Sequence, residues 1–276
     1  MPRPFIIAQI SDCHVGERGG TIDRRFRSGR HLAAAARHIM ALEPRPDIVV
    51  ATGDLVHDGR PEEYRHLASA LAPLSMPVYL IPGNHDDRDA LRAVFADHRH
   101  LPAGPFLHYT IERHPVRLVL LDTVIPGETG GELCARRLAW LEERLQEAPA
   151  RPTLVAMHHP PFLTGMAPFD RNRDGQGLIG ADRLGEVIAR HPQVERIVCG
   201  HIHRPIATRW RGTTVSVAPS TSHQIELSLS EERRLTLIEE PAAIDLHVWL
   251  PAEALVSHRS YVGDYPPVMS VDMPAP

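Results

Sequence analysis

The chain has 276 residues, enough to bury a large core as one domain or as a domain with an appendage. Hydrophobic residues make up 43% and charged residues 23%, as in an ordinary globular protein. The formal net charge of −4 argues against binding of extended nucleic acid. The 18 histidines are more than a domain of this size needs.

The cysteine count and the apolar runs bear on the compartment. Three cysteines are too few for a full disulfide framework, which favours a reducing compartment. We find no secretory leader, and no apolar run reaches the roughly 18 residues that a membrane span needs. We therefore expect a cytoplasmic protein with no membrane partner.

The first half of the chain alternates between short apolar runs and longer amphipathic segments. We predict strands over 5–10, 47–52 and 78–82, and helices over 30–43, 61–72 and 88–97. The Gly- and Arg-rich residues 16–29 are predicted to form a loop. This alternation predicts parallel strands with helices on the outside.

The second half begins with two strands between residues 106 and 122, joined in a hairpin-like feature. We then predict helices over 135–147 and 181–190, strands over 153–157 and 195–199, and short strands over 206–210, 213–218, 223–229, 234–239 and 244–250. The polar segment 162–180 is predicted to be a mobile loop beside a site. The simplest assembly is a two-sheet core flanked by helices, with a small appendage after about residue 220.

Polar motifs stand where five of the predicted strands end. They are Asp12-Cys13-His14, Gly53-Asp54, Gly83-Asn84-His85-Asp86, His158-His159-Pro160-Pro161 and Gly200-His201-Ile202-His203. A single strand-end Asp is more often a turn former, and a single His-X-His is more often a surface pair. Five such motifs together supply the oxygen and imidazole ligands of metals that hydrolyse phosphate esters. The sequence therefore predicts a two-metal hydrolytic site.

Two of these motifs place ligand-type residues two positions apart. In an extended backbone this spacing puts both ligands on one face, while Cys13 and Ile202 point into the core. Asp54 can bridge two ions with its two carboxylate oxygens, and Asn84 supplies a neutral oxygen. Gly83 allows a tight turn and leaves room for a metal or phosphate near the backbone.

In this order, the five motifs resemble the signature of the calcineurin-like metallophosphoesterases over residues 5 to about 220. The segments 59–64, 79–87 and 158–161 are similar to the bacterial branch that hydrolyses cyclic nucleotides and glycerophosphodiesters (class III phosphodiesterases). The resemblance implies an α/β fold, a four-layer α-β-β-α sandwich of two mixed sheets flanked by helices. It also implies a catalytic domain over 1–220 and C-terminal strands with a cap or oligomerisation segment over 221–276.

The resemblance further implies a role for each site residue. One metal would be held by Asp12, His14, Asp54 and His203, and a second by Asp54, Asn84, His158 and His201. The catalytic residues would be His85 and Asp54, and the substrate would contact Asn84, His85, His57 and His223. The two ions per chain would be Fe, Mn, Co or Zn.

The activity implied is hydrolysis of small phosphodiesters such as 3′,5′-cyclic AMP or glycerophosphodiesters. A metal-bound hydroxide, terminal or bridging, would attack phosphorus while His85 stabilises charge or protonates the leaving group. Two alternatives are a phosphomonoesterase or nucleotide pyrophosphate hydrolase of the same fold and a metal-free interaction scaffold. We expect a homodimer or higher homo-oligomer, although the C-terminal strands and tail could instead form an intrachain lid.

Overall fold

The computed structural model describes residues 3–170, 177–231, 234–251 and 254–272. Within them the chain forms six helices: α1 (Thr21–Phe26), α2 (Ser28–Ala41), α3 (Pro61–Leu71), α4 (Arg88–Val94), α5 (Ala135–Gln146) and α6 (Ala181–Ala189). The strands are β1 (Phe5–Ile10), β2 (Ile48–Thr52), β3 (Val78–Ile81), β4 (Tyr109–Ile111), β5 (Arg117–Leu120), β6 (Gly131–Glu132), β7 (Thr153–Ala156), β8 (Leu178–Ile179), β9 (Val194–Cys199), β10 (Ile206–Trp210), β11 (Thr213–Val217), β12 (Gln224–Ile225), β13 (Leu237–Ile238), β14 (Ala243–Leu250) and β15 (Ala254–Tyr261). None of these helices is both long and apolar enough to cross a membrane.

Two mixed sheets form the centre of the molecule. The first has the order β15-β14-β1-β2-β3, in which β1, β2 and β3 are parallel and β14 runs antiparallel to β1. The second has the order β10-β11-β9-β7-β5-β4, with four parallel central strands and an antiparallel strand at each edge. The parallel strands end at the same edge of each sheet, which brings their following loops together.

Alternation of side chains along the strands divides the core into layers. In β2, Ile48 and Val50 face a cluster between the two sheets, whereas Val49 and Ala51 face a second cluster that includes α2, α3 and α4. Val119 of β5 faces a third cluster, which includes α5 and α6. Three apolar clusters separate four layers, so the predicted α/β sandwich of two mixed sheets flanked by helices is confirmed.

The structure differs from the predicted elements in several places. Helix α1 lies within the predicted loop 16–29; it buries none of its residues, so no apolar periodicity marks it. Strand β15 lies in the tail, where Leu255 is its one fully buried residue. The predicted strands 223–229 and 234–239 shorten to the two-residue pair β12 and β13. Of the predicted loop 162–180, residues 178–179 instead form β8, which pairs with β6, and residues 171–176 lie outside the described residues.

The domain boundary near residue 220 stays a prediction. The structure adds that β14 and β15 continue the first sheet beside β1, with Phe5 opposite Trp249 and Gln9 opposite Asp245. β14 and β15 are therefore part of the sandwich itself.

A buried polar network joins the two sheets behind the strand ends. Gln9 donates from Nε2 to Thr52 Oγ1 (2.9 Å) and to the carbonyl oxygen of Cys199 (2.8 Å). Because that carbonyl only accepts, Gln9 Oε1 is left to accept from Nε2 of His247 at 3.0 Å. His247 Nδ1 then accepts from the hydroxyl of Ser257 at 2.6 Å. This arrangement requires the neutral form of His247.

His247 is expected to make the protein less stable in acid. Burial lowers the pKa of His247 to about 3, below the ordinary value near 6.5 of an unfolded histidine. The unfolded chain therefore binds more protons between these values, and stability falls as the pH drops below about 6.5. Between pH 7 and pH 5 this one group should remove about 2 kcal/mol from the free energy of unfolding.

Urea unfolding at pH 7 and pH 5 measures this effect. Between pH 7 and pH 5 the free energy of unfolding should fall by about 2 kcal/mol less in His247→Gln than in the parent protein. His258→Gln, at an exposed position of β15, should show the same fall as the parent protein. An unchanged pH dependence in His247→Gln would contradict the prediction.

Candidate metal centre

The loops after β1, β2 and β9 hold unusual backbone conformations. Asp12, His14, Asp54, His201 and His203 have positive φ angles of 51°, 44°, 48°, 75° and 53°. Such angles cost non-glycine residues of the order of 1–3 kcal/mol each and occur where the surroundings over-determine them, often at functional sites. The prediction of extended backbone in the motifs 12–14 and 201–203 is therefore wrong, because the first and last residue of each motif are left-handed.

Two residues that the spacing argument placed in the core are nevertheless buried there. Cys13 packs in the cluster of α2, α3 and α4, and Ile202 packs in the cluster of α5 and α6. Burial raises the pKa of the Cys13 thiol to about 12, so it is a neutral core residue in this structure.

Close backbone approach explains the glycines of these motifs. A Cβ on Gly83 would collide with the backbone nitrogen and carboxylate of Asp54, and one on Gly200 would collide with Ser11 Oγ. Gly83 does not have a positive φ angle, so its role is to leave space and not to adopt a left-handed turn.

The first predicted ligand set comes together in the structure. One donor atom from each of Asp12, His14, Asp54 and His203 lies within 4.8 Å of the others. The Nε2 atoms of His14 and His203 are 3.0 Å apart, and His203 Nε2 is 3.4 Å from Asp12 Oδ1. All four residues are buried. Two imidazoles and two carboxylates that face one point suit a divalent cation.

The second predicted set adjoins the first through Asp54. Asp54 Oδ2 is 3.6 Å from His14 Nε2 and 3.4 Å from His158 Nε2. His158 Nε2 is also 3.1 Å from Asn84 Oδ1. The ring of His201 lies 5.1 Å from that of His158, centroid to centroid. The assignment of all seven residues as ligands stays a prediction, which this convergence supports.

Backbone carbonyls orient two of the imidazoles. His158 Nδ1 donates to the carbonyl oxygen of Thr52 (2.7 Å), and His203 Nδ1 donates to that of His223 (2.8 Å). Their Nε2 atoms therefore face the centre, where each offers a lone pair once it has lost its proton, as metal-binding histidines do. His14 Nδ1 is buried without a partner among the described residues. The donor set and its orientation fit divalent metal ions.

The charges of the centre also favour a cation. Burial raises the pKa of Asp12 to about 7. Burial also opposes ionisation of Asp54, but the charge of His158 and a hydrogen bond from it hold the Asp54 pKa well below its usual range. Burial would lower the pKa of His158, yet Asp54 outweighs it and raises that pKa to about 9. The proton on His158 occupies the place that a metal ion would take, so metal binding should release it.

The predicted substrate-side histidines surround this centre. His85 Nδ1 donates to the carbonyl oxygen of His57 (2.7 Å), and the His85 backbone N–H donates to Asp54 Oδ1 (2.9 Å). The ring of His223 lies 5.2 Å from that of His14, centroid to centroid, and the Phe26 ring packs against His223 at 4.6 Å. The contact from Phe26 was not predicted, because α1 carries no apolar pattern.

Asp86 is a supporting residue whose role sequence reasoning missed. Its carboxylate accepts hydrogen bonds from the backbone nitrogens of Gly83 (2.8 Å), Leu55 (3.0 Å) and Val56 (3.3 Å), and from the hydroxyl of Tyr64 (2.9 Å). It thereby fixes the loops that carry Asn84 and Asp54. The signal in the sequence that could have indicated this role is the position of Asp86 within the motif Gly83-Asn84-His85-Asp86.

Asp86→Ala is expected to lower the free energy of unfolding by about 3 kcal/mol or more. Three buried N–H groups and a buried hydroxyl would lose their acceptor, and each unsatisfied group costs about 1–3 kcal/mol. Denaturant unfolding measures the change. Asp97→Ala, an exposed site past α4, should stay within about 0.5 kcal/mol of the parent protein. Equal stability of the two variants would show that Asp86 does not hold these loops.

Comparison with known proteins agrees with the fold and with the family that the motifs resemble. The sequence model of the calcineurin-like phosphoesterase family matches residues 5–205. A probable glycerophosphodiester phosphodiesterase of Arcobacter nitrofigilis is 34% identical over 262 residues, which cover 95% of this chain and 94% of the relative. A probable cyclic nucleotide phosphodiesterase of Rhodopseudomonas palustris is 36% identical over 261 residues, 93% of each protein.

A solved structure shares the fold at low sequence identity. A dimetal phosphatase from Danio rerio superimposes with a TM-score of 0.62 at 15% identity, over 95% of this chain and 100% of that one. The fold is thus that of metal-dependent phosphatases and their relatives. This chain belongs to the calcineurin-like phosphoesterase family, as the resemblance of its five motifs implies.

Proposed function

We propose that this chain hydrolyses small phosphodiesters, cyclic nucleotides such as 3′,5′-cyclic AMP or glycerophosphodiesters, at a centre of two divalent metal ions. The observation that carries this proposal is the position of Asp54, whose carboxylate lies between His14 and His158 and so adjoins both ligand sets. The names of the relatives, phosphodiesterases of glycerophosphodiesters and of cyclic nucleotides, support a diester as substrate.

In this proposal seven residues hold the ions. The first ion would be held by Asp12, His14, Asp54 and His203, and the second by Asp54, Asn84, His158 and His201. The ions would supply Lewis acidity, which activates water and offsets charge on the phosphate. Fe, Mn, Co and Zn all suit such mixed oxygen and nitrogen ligands.

His85 carries the proton chemistry in this proposal. Its Nδ1–H donates to the carbonyl oxygen of His57, which fixes the ring and leaves Nε2 for the substrate. As an imidazolium, Nε2–H can stabilise a phosphate oxygen or protonate the leaving alkoxide. The rings of His57 and His223 lie 5.8 Å and 5.2 Å from that of His14, and in this proposal both residues would contact the phosphodiester.

A metal assay combined with a substrate panel tests the proposal. The metal-loaded enzyme is expected to hydrolyse 3′,5′-cyclic AMP or glycerophosphoethanolamine faster than the monoester p-nitrophenyl phosphate, and a chelator should abolish turnover. Preference for p-nitrophenyl phosphate would instead favour a phosphomonoesterase. Less than one metal per chain, with no turnover after addition of Mn(II), Co(II) or Zn(II), would favour a non-catalytic scaffold.

The proposal includes a homo-oligomer in the cytoplasm. Exposed large apolar side chains support self-association, among them Leu163 (74% exposed) and Leu229 (69% exposed). Light scattering of the purified protein measures the oligomeric state, and a monomer at micromolar concentration would contradict this part of the proposal.

A further inference from the structure

A cavity lies among α1, α2 and α3. Its volume is about 670 Å³, within the range of small-molecule sites. Its lining shares no residue with the proposed metal ligands or with His57, His85 and His223. It comprises Arg18, Gly19, Asp23, Arg24, Arg27, Gly29, Arg30, Ala33, His66, Ser69 and Ala70. The cavity therefore has its own chemistry, which the phosphodiesterase proposal does not use.

The lining carries a strong excess of positive charge. Four guanidinium groups stand against one carboxylate, that of Asp23, in a chain whose formal net charge is −4. They come from three parts of the chain: Arg18 precedes α1, Arg24 and Arg27 lie in and just after α1, and Arg30 lies in the first turn of α2. Like charges held around one cavity repel one another, and an anion between them would reverse that cost.

The available carboxylates leave most of this charge uncompensated. Arg30 makes no side-chain hydrogen bond or ion pair with any residue that the structure describes. Arg27 lies 3.7 Å from Glu239, but both side chains are exposed and such pairs contribute little. The Asp23 carboxylate accepts a hydrogen bond from the backbone nitrogen of Gly19 at 2.9 Å.

The opposite wall of the cavity is fixed. His66 on α3 is held through Nδ1 by the carbonyl oxygen of Gly16 at 2.8 Å, and its ring fills the space beside Gly29. Arg18 reaches Ser69 on the same helix, at 3.2 Å from NH2 to Oγ. A ligand in the cavity would thus meet an ordered helix on one side and guanidinium groups on the other.

We propose that this cavity is a second, metal-independent binding site for a small molecule that carries phosphate groups. Guanidinium groups match phosphate oxygens with paired, charge-assisted hydrogen bonds, and several of them around one cavity favour a polyanion over a single charge. Because these side chains are exposed, binding should weaken as the salt concentration rises.

Calorimetric titration of the metal-loaded full chain with ADP tests the proposal. The isotherm of the parent protein is expected to contain a component from ADP binding in the cavity. The affinity of that component should be at least tenfold lower in Arg18→Gln/Arg30→Gln. The single variant Arg30→Gln breaks no contact with the described residues, so it should weaken the same component without loss of stability. Adenosine, which lacks phosphate, should not produce the component.

The control carries the same change in charge at exposed positions outside the cavity. Arg37→Gln/Arg209→Gln should bind ADP as the parent does. ADP at the metal centre is measured separately, as competitive inhibition of diester hydrolysis, and this inhibition should be equal in all variants. An ADP isotherm that the cavity substitutions leave unchanged would overturn the proposal. A raised KM for the diester with an unchanged isotherm would also overturn it, since the arginines would then serve the catalytic entrance.

Discussion

Asp54→Asn is expected to reduce kcat/KM for bis(p-nitrophenyl) phosphate by about a thousandfold, equivalent to about 4 kcal/mol of transition-state stabilisation. The Asp54 carboxylate lies 3.6 Å from His14 Nε2 and 3.4 Å from His158 Nε2, and it also accepts from the His85 backbone N–H. Asparagine keeps the size of the side chain but removes its negative charge and one of its two acceptor oxygens. Both ligand sets would therefore lose their shared member.

Metal content and activity are measured together on the same preparation. The variant should bind fewer metal ions per chain than the parent protein. Asp58→Asn is the matched control, because Asp58 lies in the same loop but is exposed, and its carboxylate pairs with Arg60 at 3.4 Å. Full metal content and activity within tenfold of the parent in Asp54→Asn would exclude a bridging role.

His85→Ala is expected to slow the chemical step by about 10²- to 10⁴-fold, the usual contribution of a general acid. Its metal content should equal that of the parent protein, because His85 Nδ1 is directed to the His57 carbonyl and the ring is not in the predicted ligand sets. The loss should appear in kcat more than in KM, since the proton is needed in the transition state.

The leaving group distinguishes a proton donor from a residue that only shapes the site. p-Nitrophenolate leaves without protonation, whereas the alkoxide of glycerophosphoethanolamine requires a proton. The loss in His85→Ala should therefore be larger for glycerophosphoethanolamine than for bis(p-nitrophenyl) phosphate. Equal losses on both substrates would contradict the donor role, and a metal-free variant would show that His85 is a ligand. His98→Ala, outside the centre, serves as the control.

Much of the architecture could be predicted because it depends on local signals. Buried strands such as 48–52 are continuous runs rich in β-branched residues, and parallel strands end at a shared edge where polar motifs meet. This rule predicted that Asp12 and His203 lie close together in the structure, although they are 191 positions apart in the chain. The residues alone were enough to predict a site of this kind.

Other features depended on contacts that no local pattern encodes. The left-handed backbone at His14 and His201 is uncommon for a residue other than glycine, and no local sequence pattern predicts it at these positions. The role of Asp86 requires knowledge of which backbone nitrogens surround it. Strand β15 has one fully buried residue, so its sequence resembles a polar tail. In each case a long-range contact decided the structure.

The pairing of β1 with β14 has a consequence for synthesis of the protein. β1 is synthesised well before its antiparallel neighbour β14, which spans Ala243–Leu250. During translation one edge of β1 has no partner until β14 has been made, and unpaired strand edges promote aggregation. We therefore expect that a ribosome-bound chain ending before residue 243 depends on chaperones, and that release of the last strands permits the cooperative closure of the first sheet.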